Sequence, residues 1–119
     1  YYIKKGIKIL KKYNCDFTFS AIKNSYPIQR SFKLNKSGYV EMLDKNNYYM
    51  KSQDLDETYH DAGQFYWGQN KCWVEEKIIF NSNSKPILLP LEKVHDIDTQ
   101  EDWNFAEKLS KINGMKTRF

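Results

Sequence analysis

Five consecutive residues, His95-Asp96-Ile97-Asp98-Thr99, hold the most reactive grouping in this 119-residue sequence. On extended backbone alternate side chains share a face, so Asp96 and Asp98 are expected to project together while Ile97 turns toward a core. Two carboxylates so placed repel, and each raises the other's pKa unless a cation lies between them. A hard oxygen pair suits Mg²⁺, which takes one or two protein carboxylates and leaves its remaining positions to water and phosphate. The bland alternative is that Asp98 or Thr99 only caps the following helix and Asp96 faces water.

A second grouping runs Thr58-Tyr59-His60-Asp61-Ala62-Gly63-Gln64-Phe65-Tyr66-Trp67. A glycine just before an aromatic strand often marks close approach of a ligand to backbone. His60, Asp61, Gln64 and Tyr66 around it could recognise a polyhydroxylated molecule through directional hydrogen bonds. The alternative is a loop entering a buried strand. His60 has no identifiable nucleophile to activate, so no general-base role is assigned to it. Arg30, after Gln29, offers a guanidinium able to grip a carboxylate in a bidentate way, or else an exposed hairpin charge. No Gly-rich phosphate-binding pattern occurs in the sequence. Cys15 and Cys72 lack a CxxC partner or a histidine at ligand spacing, and are expected to be buried free thiols.

The elements that must position these residues are legible from periodicity. Residues 1–14 predict an amphipathic helix with Ile3, Ile7 and Leu10 on one face, five lysines on the other, and Asn14 as its stop. Asp16–Ile22 alternates Phe17, Phe19 and Ala21 with polar residues, which is strand periodicity. Arg30–Leu34 and Tyr39–Leu43 flank Asn35-Lys36-Ser37-Gly38 and predict a β-hairpin. The stretch 44–61 reads as a long polar loop with one helical turn. Gln64–Trp67 returns to strand, Gln69–Lys77 predicts a short helix, and Ile87–Leu89 a strand between two prolines. Thr99 and Asp102 form a capping-box pattern ahead of a last helix whose Trp103, Ala106, Leu109 and Ile112 share a face, with Gly114 as a suitable terminator. Strands alternating with helices predict an α/β class within a single domain, residues 1–119.

Composition bounds the rest. A net charge of +4, with 40% hydrophobic and 29% charged residues, excludes a disordered tail or a collagen-like rod. No apolar run approaches the roughly 20 residues of a membrane span, which predicts a soluble chain, and the two free thiols predict a reducing cytoplasm. The opening Tyr1-Tyr2-Ile3-Lys4-Lys5 does not read as a signal peptide. Nineteen aromatics interleaved with lysine would fit single-stranded nucleic acid, but most are expected in the core. Nucleic acid is therefore not expected as a partner. The chain starts without Met, and a fragment is expected.

Four stretches in order, Ser20-Ala21 through Tyr26-Pro27-Ile28-Gln29-Arg30, then Ser52-Gln53-Asp54-Leu55, then Tyr59–Tyr66, then Asp96-Ile97-Asp98-Thr99-Gln100-Glu101-Asp102-Trp103, resemble the C-terminal half of the cytidylyltransferases that activate nonulosonic acids. Pseudaminic acid cytidylyltransferases are the most similar group, with CMP-sialic acid synthetases as wider relatives. The resemblance runs from about Lys11 to Ile112. It implies a three-layer, Rossmann-like nucleotide-diphospho-sugar transferase fold whose N-terminal, CTP-holding half has no counterpart here. It also implies transfer of CMP from CTP to a nonulosonic acid, giving CMP-sugar and pyrophosphate with Mg²⁺. On that resemblance Asp96 and Asp98 are the catalytic and metal carboxylates. Arg30, Gln53, His60, Asp61, Gly63, Gln64 and Tyr66 line the sugar-acid pocket. Residues 28–54 resemble an arm that packs against a second subunit of a homodimer. These residues alone are expected not to turn over CTP. The alternative is a non-catalytic sugar-binding or dimerisation module of the same fold.

Overall fold

Phe17–Lys23 forms β1, the middle strand of a three-stranded sheet. The computed structural model describes residues 1–112 and residue 114. Alternation along β1 leads one to expect a wet polar face, yet Thr18 and Ser20 are as fully buried as Phe17. A central strand is covered on both sides, so its polar groups must be bonded inside. Thr18 Oγ1 accordingly donates to the Gly6 carbonyl at 3.0 Å, and Ser20 Oγ accepts from two backbone N–H groups described below.

Tyr59–Gly68 is β4 and Ser84–Leu88 is β5, on either side of β1. β5 runs parallel to β1, pairing Phe17 with Ser84 and Ala21 with Leu88. β4 runs the other way, since Ser20 meets Gln64 while the Asp16 carbonyl accepts from Gln69 N. The sheet is therefore mixed, in an α/β arrangement. Pro86, expected to bound β5, lies inside it; a proline fits because β5 lies at the side of this sheet, with β1 as its partner in the strand order.

Helix α1, Tyr2–Tyr13, ends at Asn14, whose φ of 50° closes it with an N–H to the Leu10 carbonyl. Its buried seam is Gly6 and Leu10, whereas Ile3, expected on the seam, is 57% exposed. The glycine decides this. Gly6 brings the helix so near the sheet that a Cβ there would lie 2.8 Å from the Trp67 ring and 3.0 Å from Phe65. Trp67 Nε1 then reaches the Ile3 carbonyl at 2.9 Å.

The opposite face of the sheet is aromatic. Phe17 meets Trp73 edge-on at 4.9 Å, and Phe19 lies between Phe80 at 5.0 Å and Tyr66 at 6.5 Å. Trp73 belongs to α2, Asn70–Val74, where Cys72 is fully buried; Cys15 is buried too, and both thiols are free. Burial is the chief influence pushing the Cys72 thiol pKa up. Asp16, just ahead of β1, ties in the chain between α2 and β5 by accepting from Asn83 Nδ2 at 3.0 Å and Lys77 Nζ at 3.2 Å. Those bonds, Asn83 foremost, hold its carboxyl below the usual range.

Contacts divide the chain into two units, Tyr1–Ile22 with the chain from Asp61 onward, and Lys23–His60. The second holds the expected hairpin, β2 (Phe32–Leu34) paired with β3 (Val40–Met42). Gly38 has φ 83°, and Asn35 Oδ1 accepts from Ser37 N and Tyr39 N, which sets the turn. The stretch 44–61 contains two 3-10 turns, Lys45–Asn47 and Ser52–Asp54, and its last residues already belong to β4.

Two expectations about burial fail. Thirteen of the eighteen aromatics among the described residues are exposed, because the three-stranded sheet and its helices offer too little covered area. Likewise the apolar face of α3, Gln100–Ile112, is not sealed: Trp103 is 42% and Ile112 78% exposed. Gly114, expected to terminate this helix, has φ 65° and an N–H to the Lys111 carbonyl at 3.2 Å.

Candidate active site

The centre of β4 departs from regular pairing. Gly63 takes φ 64°, and the next two amides, Gln64 N and Phe65 N, both point at Ser20 Oγ, at 2.9 and 3.2 Å. Two successive donors on one acceptor, with a left-handed glycine before them, make a β-bulge. A Cβ added at Gly63 would have open space around it. The left-handed backbone by itself calls for a glycine at this position.

The bulge redirects neighbouring side chains. Asp61 Oδ1 accepts from Gly63 N at 2.9 Å, and Asp61 Oδ2 accepts from the Tyr66 hydroxyl. Along a regular strand, residues five apart would be about 16 Å apart and on opposite faces. Only the bend at Gly63 lets Asp61 and Tyr66 meet. The hydrogen bond to Asp61 is the main cause that pushes the Tyr66 phenol pKa up to about 12. Stacking of Tyr66 on Phe19 fixes the ring.

Gln64 is exposed and donates from Nε2 to the Lys93 carbonyl at 2.9 Å. Lys93 closes a 3-10 turn, Leu91–Lys93, from which the chain runs irregularly into Asp96 and Asp98. Asp96 and Asp98 are both exposed, as the metal reading requires, but Ile97 between them is 46% exposed rather than in the core. The segment is irregular, not strand, so strict alternation does not apply to it.

Asp102 fastens the far side of this segment. Its Oδ2 accepts from Thr99 N at 2.8 Å, Thr99 Oγ1 at 2.7 Å and Asp98 N at 3.2 Å, while Asp102 N donates to Thr99 Oγ1 at 3.2 Å. This is the predicted capping box, extended back to the Asp98 amide. The Thr99 hydroxyl, then the Thr99 amide, holds the Asp102 carboxyl below the usual range. His95 packs on Phe105, ring centroids 4.9 Å apart, and its Nε2 lies 3.8 Å from Asp102 Oδ1, too long for a hydrogen bond. Asp98 thus enters the site from a pinned backbone.

Three further sequence-predicted residues lie in the unit Lys23–His60. Arg30 ends a 3-10 turn, and its Nη2 donates to the Tyr48 carbonyl at 3.2 Å. Gln53 lines a cleft of about 250 Å³ with Lys23, Asn24, Ser25 and Tyr26. His60 is an exposed residue of β4. Sequence reasoning missed Ser20 as the acceptor that holds the bulge, though a serine amid apolar strand residues was the available signal.

Mg²⁺ can be tested against this donor set. Among the described residues no group of three or more His, Cys, Asp or Glu is arranged to hold a metal. An all-protein cage is excluded there; Asp96 and Asp98 are hard oxygen donors of the type Mg²⁺ takes when water and phosphate complete its shell. No described helix is long and apolar enough to cross a membrane.

The resemblance read from the motifs extends over most of the chain. The sequence is 48% identical over 97 residues to a pseudaminic acid cytidylyltransferase of Campylobacter jejuni strain 81-176, covering 82% of this chain and 42% of that protein. The namesake from Campylobacter jejuni strain NCTC 11168 gives the same figures, 48% identity, 82% and 42%. A Helicobacter pylori protein named pseudaminic acid cytidylyltransferase and UDP-2,4-diacetamido-2,4,6-trideoxy-beta-L-altropyranose hydrolase is 34% identical over 97 residues, with 81% of this chain and 18% of that protein covered. The chain thus spans less than half the length of the curated relatives it matches. No protein-family model matches it.

Proposed function

We propose that these residues are the sugar-acid and metal-binding part of a cytidylyltransferase that transfers CMP from CTP to a nonulosonic acid, pseudaminic acid first among them. The observation that carries the reading is the 48% identity to two pseudaminic acid cytidylyltransferases. The Gln64–Lys93 bond supports it, because it ties the proposed recognition strand to the segment bearing the acids.

In the proposed reaction the anomeric hydroxyl of the sugar acid attacks the α-phosphate of CTP, and pyrophosphate leaves. Asp96 and Asp98 would hold Mg²⁺, which would neutralise charge on the phosphate oxygens. Thr99 and Asp102 keep the Asp98 backbone in place, and Gln64 and Tyr66 orient the sugar acid. Residues 28–54, with Arg30 and Gln53 among them, are proposed to form an arm whose Phe32, Leu34 and Val40, 57–63% exposed, pack on a second subunit. With no Gly-rich phosphate loop in the sequence, the triphosphate would be gripped by other residues, and residues 1–119 alone would not turn over CTP. The second reading, a catalytically silent module that binds sugar or a partner, rests on the exposed Phe32, Leu34 and Val40 of the arm.

The test is CMP-sugar formation from CTP and pseudaminic acid, with Mg²⁺, by a protein of the relatives' full length carrying these residues. Formation that is lost in Asp96→Asn supports the enzyme reading. Equal turnover by the Asp96→Asn variant would sink it.

A further inference from the structure

Asp61 and Tyr66 meet across the bulge in a way that settles which of them gives the proton. A carboxylate can only accept, and Asp61 Oδ2 is the partner of the Tyr66 hydroxyl. The phenol proton is therefore spent on Asp61. Asp61 Oδ1 is engaged by Gly63 N at 2.9 Å, so the carboxylate cannot turn away without undoing the bulge. Nor can the ring, which stacks on Phe19, itself edge-on to Phe80. Yet Tyr66 is 37% exposed, and what remains on its oxygen is acceptor capacity alone.

We infer that Tyr66 is a specificity-determining residue that offers only an acceptor to its ligand, and so selects a hydrogen-bond donor there, a hydroxyl or amide N–H of the sugar acid. This rests on the reading of β4 as the sugar-acid strand. It follows that Tyr66 does not bind the sugar's carboxylate or a phosphate, which need donors. Asp61 acts through Tyr66 and is a positioning residue rather than a ligand contact.

Asp61→Asn is the informative change. Its carbonyl oxygen can still accept from Gly63 N and keep the bulge, while its amide would donate to the Tyr66 oxygen and release the phenol proton outward. Two measurements on the full chain test this. The first labels tyrosine Cζ with ¹³C, identifies Tyr66 by its loss in Tyr66→Phe, and follows its titration. In the native chain Tyr66 should titrate last of the tyrosines, and in Asp61→Asn it should move down to the ordinary value near 10. Tyr66 titrating with the others in the native chain would overturn the inference.

The second measures binding of pseudaminic acid and of derivatives in which one hydroxyl or amide N–H at a time is methylated. One derivative should bind the native chain about tenfold more weakly, as loss of a single hydrogen bond implies. That penalty should vanish in both Tyr66→Phe and Asp61→Asn. If pseudaminic acid binds but every penalty survives in Tyr66→Phe, the selection by Tyr66 is wrong while the sugar-acid reading stands. If pseudaminic acid does not bind although Tyr66 titrates late, the sugar-acid reading fails and takes the ligand assignment with it.

Discussion

The side-chain amide of Gln64 donates to the carbonyl of Lys93 at 2.9 Å, joining residues 29 positions apart. Through this bond a strand in the first half of the site holds the approach to Asp96. Gln64→Ala should cost no more than about 1 kcal/mol of stability, the worth of one exposed neutral hydrogen bond. In a full-length enzyme it should raise the KM for the sugar acid more than it lowers kcat. Steady-state kinetics with each substrate varied in turn would decide; an unchanged KM would disconnect the strand from the acids.

Gly63 is required by its φ of 64° and not by space, since nothing lies within 4 Å of a Cβ placed there. Gly63→Ala should therefore destabilise by about 1–2 kcal/mol, and Gly63→Asn by less, because Asn tolerates the left-handed region. Gly63→Val should be worst. Urea midpoints at a constant m-value would give the order, and a tolerated valine would contradict the bulge.

Gly68 is the converse case. A Cβ there would come within 2.5 Å of Trp73 Nε1 and 2.6 Å of the Phe17 ring, and Phe17 is fully buried. Gly68→Ala should cost about 1–3 kcal/mol through overpacking. The near-ultraviolet signal of Trp73 should change along with the thermal midpoint.

Thr99→Ala removes the acceptor for Asp102 N and one donor to its carboxylate. About 1 kcal/mol should be lost, the usual worth of such a cap. Asp102 also sets a pH dependence. Its carboxyl is held below the usual range, chiefly by the Thr99 hydroxyl, so its contribution is complete above about pH 4 and is lost as pH falls through the lower folded value. Asp16, held low chiefly by Asn83, behaves in the same sense. Acid unfolding of Asp102→Asn and Asp16→Asn should start from lower stability and be less steep than that of the native chain. Superimposable acid transitions would rule these carboxyls out.

Asp96 and Asp98 are exposed, so Asp96→Asn should shift stability by no more than about 0.5 kcal/mol. In a full-length enzyme the same change should lower turnover at least about a hundredfold, since metal stabilisation of phosphate charge is worth several kcal/mol. A large loss of stability would instead mean that Asp96 is structural.

How much was legible in the sequence depends on whether the governing interaction is local. Helix α1 with its Asn14 stop, the hairpin turned at Gly38 and the Thr99–Asp102 capping box all follow from spacings of four residues or fewer, where covalent geometry dictates who meets whom. The acid pair and the β4 motif were likewise visible as patterns of residue types. The burial of Thr18 and Ser20 was not, because it depends on partners beyond local spacing, the Gly6 carbonyl 12 positions from Thr18 and the Gln64 amide 44 positions from Ser20. The exposure of Ile97 and of thirteen aromatics depends equally on how much surface the folded layers cover, which periodicity does not record. Above all, Asp61 and Tyr66 were both named from the sequence as direct sugar contacts. Tertiary structure alone decided that the carboxylate of one accepts a hydrogen bond from the hydroxyl of the other, since a left-handed glycine and a serine on the neighbouring strand had to bend β4 before the two could touch.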